Sequence, residues 1–396
     1  MMEMTPDHQA LRELAETFVK ETINPNVEQW ERDRQLPTRA LFKQMGELGL
    51  LGINKPPAFG GLGLDYSYQA VLAESMGLVT GAGVALAVGV QTDMATPALA
   101  RYGSDALREE FLRPAIAGEQ IAALGVSEVG GGSDVSAIRT WARRDGDDYV
   151  VSGSKMWMTN GCQADWICAL VNTREVDRAR PARMPLDKSL IIIPTDRPGF
   201  SVGRKLEKMG MHCSDTAQVF FDDVRVPCRF LIGSEGRGFP YQMKQFCDER
   251  LSISLSTIAA MHDTLSRTIA YVRDRSTFGG PILSNQAVQF RLSELVAEVD
   301  ILRAYAWQTV ENFVRGRDVG RESAVLKLGA GRLVRRVNDQ CLQLWGGMGF
   351  MDESVVARRY RDQRLISIGG GTDEVMLQII SNALGFDRMP ASSESL

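Results

Sequence analysis

Several short stretches of this 396-residue chain combine residue types that could do chemistry. Ser367 to Val375 reads SIGGGTDEV, three glycines followed by Thr-Asp-Glu. Glycine takes positive φ without a steric penalty and carries no Cβ, so such a loop suits close approach of backbone to a ligand. LGVSEVGGGSD, Leu124 to Asp134, is a second glycine-rich loop, whose amides could face an anion beside the Ser127 and Ser133 hydroxyls. In MWMTNG, Met156 to Gly161, Trp157 and Thr159 lie two apart on an expected strand and so share a face. There an indole could cover a flat ring while the threonine hydrogen-bonds its edge. RSTFGGPI, Arg275 to Ile282, ends a helix with a cation free to point outward, which suits a pyrophosphate. LQLWGGMGF is a further Gly-Gly break after a helix, with Gln343 one turn earlier, and FCDERLSI carries Asp248, Glu249 and Arg250 at a helix start. Each has a plainer reading: a turn between strands, a core strand, a helix C-cap, or a solvated charge cluster that favours the helix dipole.

The elements that must position these residues follow from periodicity. Residues 1–121 read as helices, with Leu11, Leu14, Phe18 and Val19 at helical spacing and the glycine-rich KPPAFGGLGLDYS as an interrupting loop. Ala82 to Ala100 is the most apolar stretch, but Gln91, Thr92, Asp93 and Pro97 within it indicate a buried helix pair, not a membrane span. Residues 122–232 change texture to short β-branched or aromatic runs between turn residues, such as DDYVVSG, SLIIIPT and TAQVFFDDVRV. Within them TREVDRARPARMPLDK reads as an exposed hairpin loop. Residues 233–396 return to helical spacing: Leu251, Leu255, Ile258, Leu265, Ile269 and Val272 make one stripe of a long helix over about 242–273, with His262 as a core histidine on it. Two more long helices follow, and the tail MPASSESL reads as frayed. The expected order is an α domain, a small β domain and a C-terminal helix bundle.

Composition narrows the partners. Hydrophobic residues at 44% and charged residues at 24% match a soluble globular protein. A net charge of −4 argues against a nucleic-acid groove or an anionic membrane as the main partner. The six scattered cysteines read as reduced thiols, and three histidines argue against a multi-histidine metal centre. The acidic N-terminus lacks the pattern of a secretory signal or transit peptide, so the expected location is cytoplasmic.

Taken together, the stretches resemble the acyl-CoA dehydrogenase family, in its order and spacing and over essentially the whole chain. LGVSEVGGGSD is similar to the family's VTEPxAGSD signature, departing from it at Val129 and Gly131, and MWMTNG to its flavin strand. The resemblance implies an α+β fold: an N-terminal helical domain, a central small β-barrel or sandwich, and a C-terminal four-helix bundle. It also implies FAD, a homotetramer, an acyl-CoA substrate and an electron-transferring flavoprotein as acceptor. By position it implies that Leu124, Ser127, Ser133, Trp157 and Thr159 line the flavin. Arg275, Phe278, Gln286, Gln343 and Gly347 would reach a neighbouring subunit's FAD, with Thr372 and Glu374 completing the pocket. Ser133, Asp248, Arg250, Gly370 and Gly371 would meet substrate.

Many members of the family carry their catalytic glutamate at the position of Gly370. A base is still required, because the α-proton of the thioester must leave as the β-hydride departs. A subset resembling the isovaleryl and long-chain enzymes instead places its glutamate on the long helix before an arginine, which here is Glu249 before Arg250. The resemblance extends to enzymes of isoprenoid-derived thioesters such as citronellyl-CoA, and implies a medium-to-long or 3-methyl-branched substrate. Enoyl-CoA reduction or an oxidase reaction on the same fold, or a non-catalytic binding protein, are the alternatives. The charge and the intact flavin stretches weigh against the last.

Overall fold

A computed structural model describes residues 4–173 and 187–386. Most of the charged segment expected as a hairpin loop, and the tail expected to fray, lie outside those residues. Helices fill the first 116 positions, beginning at Pro6–Phe18, where Thr5 caps the amide of His8. The apolar stretch forms two helices, Ala82–Gly89 and Pro97–Tyr102, joined by a π-helical segment, Val90–Ala95. That wider turn aims Gln91, Thr92 and Asp93 into the interior, where each is buried. No helix among the described residues is long and apolar enough to cross a membrane.

The chain then enters eight strands: β1 Ala122–Gly125, β2 Trp141–Asp145, β3 Asp148–Thr159, β4 Trp166–Asn172, β5 Lys188–Pro194, β6 Phe200–Lys205, β7 Thr216–Pro227 and β8 Leu231–Ile232. They form one sheet, ordered β6-β7-β3-β2-β4-β5-β8, with β1 parallel to β4. β4 reads WICALVN and is buried throughout, lying inside the sheet between β2 and β5, and Phe111 from the helical part packs edge-on to its Trp166, centroids 5.9 Å apart. β3 runs antiparallel to β7, but its register slips between Lys155 and Met158. That bulge falls on the stretch expected to pack a ring.

Helices resume with Gly238–Asp274, 37 residues and so about 55 Å long. Gln286–Val314 and Gly320–Trp345 pack on it, and Asp373–Ala383 closes against the last of these. Leu251, Leu255, Ile258, Leu265, Val299, Leu326 and Val334 share their core. His262 is not in it. Its side chain is 38% exposed and its Nε2 lies 2.9 Å from Asp300 Oδ1, so this position on the stripe faces a carboxylate at the bundle surface.

Asp362 ties the three parts together. It is 1% exposed, and its carboxylate accepts from the amides of Ala82 in the first helical part and Met211 in the β part. Glu31 accepts from the next amides, His212 and Cys213. Burial, with Glu31 nearby, pushes the Asp362 carboxyl up to about 7, against the pull of its amide donors and Arg358. A raised folded value stabilises the protonated form, so this contribution is complete below the unfolded value near 4 and is lost as pH rises through about 7. Asp362→Asn does not titrate. In urea denaturation from pH 5 to 8 the stability advantage of the native aspartate over this variant should shrink by roughly 1.4 kcal/mol per unit up to neutrality. A constant gap would show that Asp362 keeps an ordinary value.

Candidate active site

Glu249 sits about three turns into the Gly238–Asp274 helix and is 6% exposed. Its carboxylate makes no hydrogen bond or ion pair among the described residues, in contrast to its neighbour. Asp248, expected to meet substrate, is 1% exposed, and both its oxygens are taken by Arg101 at 2.6 Å. The Asp248 carbonyl also accepts from Tyr66 at 3.0 Å. Asp248 is therefore a strut between the long helix and the N-terminal helices. Arg250 is buried beside Phe246, with its Nε unpartnered.

Opposite Glu249 lies the glycine loop. Gly370 and Gly371 take φ +65° and +94°, and a Cβ added at Gly370 would stand 3.0 Å from Glu249 Oε1 and 3.4 Å from Ile253. The conformation favours glycine, and a larger residue would also have to displace the Glu249 carboxylate slightly. Thr372 caps the following helix by accepting from Val375 at 3.3 Å, and Glu374 is exposed on its first turn, where an acid favours the dipole. Burial raises the Glu249 carboxyl to about 7, opposed by Arg250 and by Lys327 from the Gly320–Trp345 helix. A buried, unpaired carboxylate that titrates near neutrality is suited to take a proton.

The flavin stretches gather in the β part. Trp157 has φ +57° at the bulge of β3 and remains 54% exposed, while Met158 is buried and Thr159 is half-buried. The regular alternation expected to put Trp157 and Thr159 on one face is interrupted at Trp157 itself. A left-handed backbone at a tryptophan costs about 1–3 kcal/mol, held here by flanking β pairing. The Met156 amide donates to Ser127 at 2.9 Å. A Cβ at Gly132 would lie 3.7 Å from the Trp157 ring and 3.8 Å from Ser127 Oγ, so the loop and the indole border one space. Leu124 is half-buried on β1, and Ser133 is exposed.

Sequence reasoning overlooked what anchors this loop. Glu128 accepts from the Arg139 amide at 2.6 Å, the Thr140 amide at 2.9 Å and Lys155 Nζ at 2.9 Å. Lys155 is fully buried on β3 and also donates to the Val126 carbonyl. A glutamate within a glycine-rich loop and a lysine within an apolar strand were the available signals.

Arg275 is not free to point outward. Its Nη1 donates to the Trp345 carbonyl at 3.1 Å, and Tyr271 stacks on Trp345 with centroids 4.1 Å apart. A Cβ at Gly346 would come within 2.9 Å of the guanidinium, so the glycine break admits it. RSTFGGPI and LQLWGGMGF are thereby brought together. Phe278, Gln286, Gln343 and Gly347 are exposed.

Three family models match the chain: acyl-CoA dehydrogenase N-terminal domain at residues 5–119, middle domain at 123–224 and C-terminal domain at 236–385. The rat mitochondrial long-chain specific acyl-CoA dehydrogenase is 36% identical over 384 residues, covering 96% of this chain and 87% of its own. The crystal structure of a probable acyl-CoA dehydrogenase from Mycobacterium abscessus overlays with TM-score 0.91 at 39% identity, covering 96% of this chain and 99% of that one. A chain solved in work on the electron transferring flavoprotein of Acidaminococcus fermentans overlays with TM-score 0.91 at 27% identity, covering 97% and 99%. The cytoplasmic location expected from the N-terminus is overturned by such relatives, since the rat enzyme and its pig and mouse counterparts are mitochondrial. An acidic start does not carry that conclusion. With the three-part fold and the buried carboxylate beside the glycine loop, these matches place the chain in the acyl-CoA dehydrogenase family, as a flavoprotein oxidoreductase with acyl-CoA dehydrogenase activity.

Proposed function

We propose that Glu249 is the base that removes the α-proton of an acyl-CoA. The supporting observation is its unpaired burial 3.0 Å from the Cβ position of a left-handed glycine, with a carboxyl near 7. The carboxylate is available above that value and lost below it, so flavin reduction should fall on the acid side of about pH 7. The Gly369–Gly371 backbone leaves the approach to Glu249 open, and its amides are candidates to polarise the thioester carbonyl.

The residues fit FAD. The exposed Trp157 indole and the Ser127–Gly132 cradle leave room for a flat ring, with Leu124, Ser133 and Thr159 around it. When bound, FAD supplies the acceptor for the β-hydride. Thr372 and Glu374, assigned to the cofactor by the family resemblance, are proposed to complete that pocket. Phe278, Phe290 and Phe350 are 110%, 59% and 79% exposed in one chain, which supports assembly into a homotetramer where Arg275, Phe278, Gln286, Gln343 and Gly347 serve a neighbour's cofactor. Electrons then pass to an electron-transferring flavoprotein. A medium-to-long or 3-methyl-branched acyl group, citronellyl-like, is the proposed substrate. Likeness to a long-chain enzyme supports it.

Glu249→Gln should keep FAD and acyl-CoA binding and lose at least ~100-fold in the rate of flavin bleaching. Adding Gly370→Glu to that variant is the exchange the sequence suggests, but the 3.0 Å contact makes Glu249→Gly with Gly370→Glu the better-fitting pair. That pair should recover part of the activity missing from Glu249→Gly alone, at a stability cost of roughly 1–2 kcal/mol for the left-handed glutamate. Wild-type bleaching in Glu249→Gln would place the base elsewhere.

Across acyl-CoAs, kcat/KM should favour medium-to-long or 3-methyl-branched chains over butyryl-CoA, and the reverse ranking contradicts the substrate proposal. Phe278→Ala should weaken assembly and release FAD on dilution together. A dilute monomer that retains FAD would contradict the shared site.

A further inference from the structure

Lys327 is the buried charge that the proposed reaction leaves without a task. It lies on the Gly320–Trp345 helix with no exposed surface, and its Nζ donates to the Gly371 carbonyl. Four residues on, the same helix meets the loop again. The Ser367 hydroxyl donates to the Gly331 carbonyl at 3.0 Å, and a Cβ at Gly331 would sit 2.9 Å from Ser367 Oγ. One helix face thus fixes the loop at two points, before and after Gly370.

Resting on the reading of Glu249 as the base, we propose that Lys327 is a positioning residue for proton abstraction. It pins the glycine loop against Glu249 through the Gly371 carbonyl and places a cation behind the carboxylate. The charged groups facing the pair are accounted for. Glu249 meets Arg250 from its own helix and Lys327 from the neighbouring one. Lys327 meets Asp373 and Glu374 from the last helix, and Glu249 and Arg250 from the long one. Asp373 is shared with Arg332 at 3.7 Å and Arg335 at 3.5 Å, so it does not neutralise Lys327 alone. Burial lowers the Lys327 amine to about 8, leaving it charged where Glu249 ionises.

The sign follows. A cation favours the ionised carboxylate, so removing it raises the pH at which Glu249 becomes a base. In Lys327→Gln the side chain can still donate to Gly371, but the charge is gone. The acid limb of flavin reduction by acyl-CoA should move up by about one pH unit, a loss of roughly 10-fold on that limb. The two proteins should converge above about pH 8, where the wild-type lysine is itself neutral. Lys327→Met removes the donor as well, and amide hydrogen exchange at Gly369–Thr372 should quicken in it but not in Lys327→Gln.

The measurement is single-turnover flavin reduction from pH 5.5 to 9.5 on the FAD-loaded variants, with FAD content and melting checked alongside. An unmoved acid limb in Lys327→Gln overturns the electrostatic role, and unchanged loop exchange in Lys327→Met overturns the pinning role. Should Lys327→Gln fail to fold, Lys327→Arg carries the charge test: its limb must stay at the wild-type position, and a displaced limb overturns the proposal. Glu249→Gln, run in parallel, separates the two readings. If it reduces flavin at the wild-type rate the base assignment fails, and if it is inactive while the Lys327→Gln limb stays put, only Lys327 is wrong.

Discussion

A left-handed glycine faces a buried glutamate that makes no hydrogen bond or ion pair among the described residues, and much of the site is arranged around that contact. At Gly370 the backbone is left-handed, φ +65°, and a Cβ would stand 3.0 Å from Glu249 Oε1, so another side chain would be strained and would displace the carboxylate slightly. Burial without a partner would ordinarily be resolved by protonation, and a value near 7 keeps Glu249 poised between its two forms. The loop stays in place because Thr372 caps the helix after it and the Gly320–Trp345 helix grips it from behind.

Along the long helix the residues next to Glu249 are tied to other parts of the chain. Asp248 is locked to Arg101 and Tyr66. Ser252, one turn on, donates to Asp93 at 3.0 Å, which also accepts from Gln69 and Thr92. Those contacts exist because a π-helical turn aims Asp93 inward, and Lys55 caps the Thr92 carbonyl at 2.8 Å beside it. These hydrogen bonds hold the helix in register, while the Glu249 carboxylate makes none among the described residues. Asp362 performs a similar service at the junction of the three parts, with amide donors from two of them.

The order of helices, sheet and helices was legible because apolar spacing changes period at the two junctions, and strand and helix periods cannot be confused over such lengths. Glu249 was legible only through family resemblance joined to the absence at Gly370, since an Asp-Glu-Arg triplet by itself resembles a solvated helix start. What stayed hidden depended on distant parts of the chain meeting. Nothing local reveals that Arg275 turns back onto the Trp345 carbonyl, that Asp248 is taken by Arg101, or that a bulge twists Trp157 out of alternation. His262 misled because its stripe position matches the core, yet Asp300 on the adjacent helix draws it to the surface. Lys327 sits in VLKLGAG, where a single lysine on a helix looks like a solvated face until the glycine loop folds over it.

The central claim is that Glu249 is an ionisable group tuned to neutrality before any substrate arrives. Its protonated carboxyl can be followed by difference infrared spectroscopy, taking the band that disappears in Glu249→Gln and titrating it in the FAD-loaded, substrate-free protein. The account predicts a midpoint of about 7. A midpoint near the ordinary glutamate value of about 4.3 would contradict it, since the side chain would then be solvated or paired and the loop would not be facing a poised base.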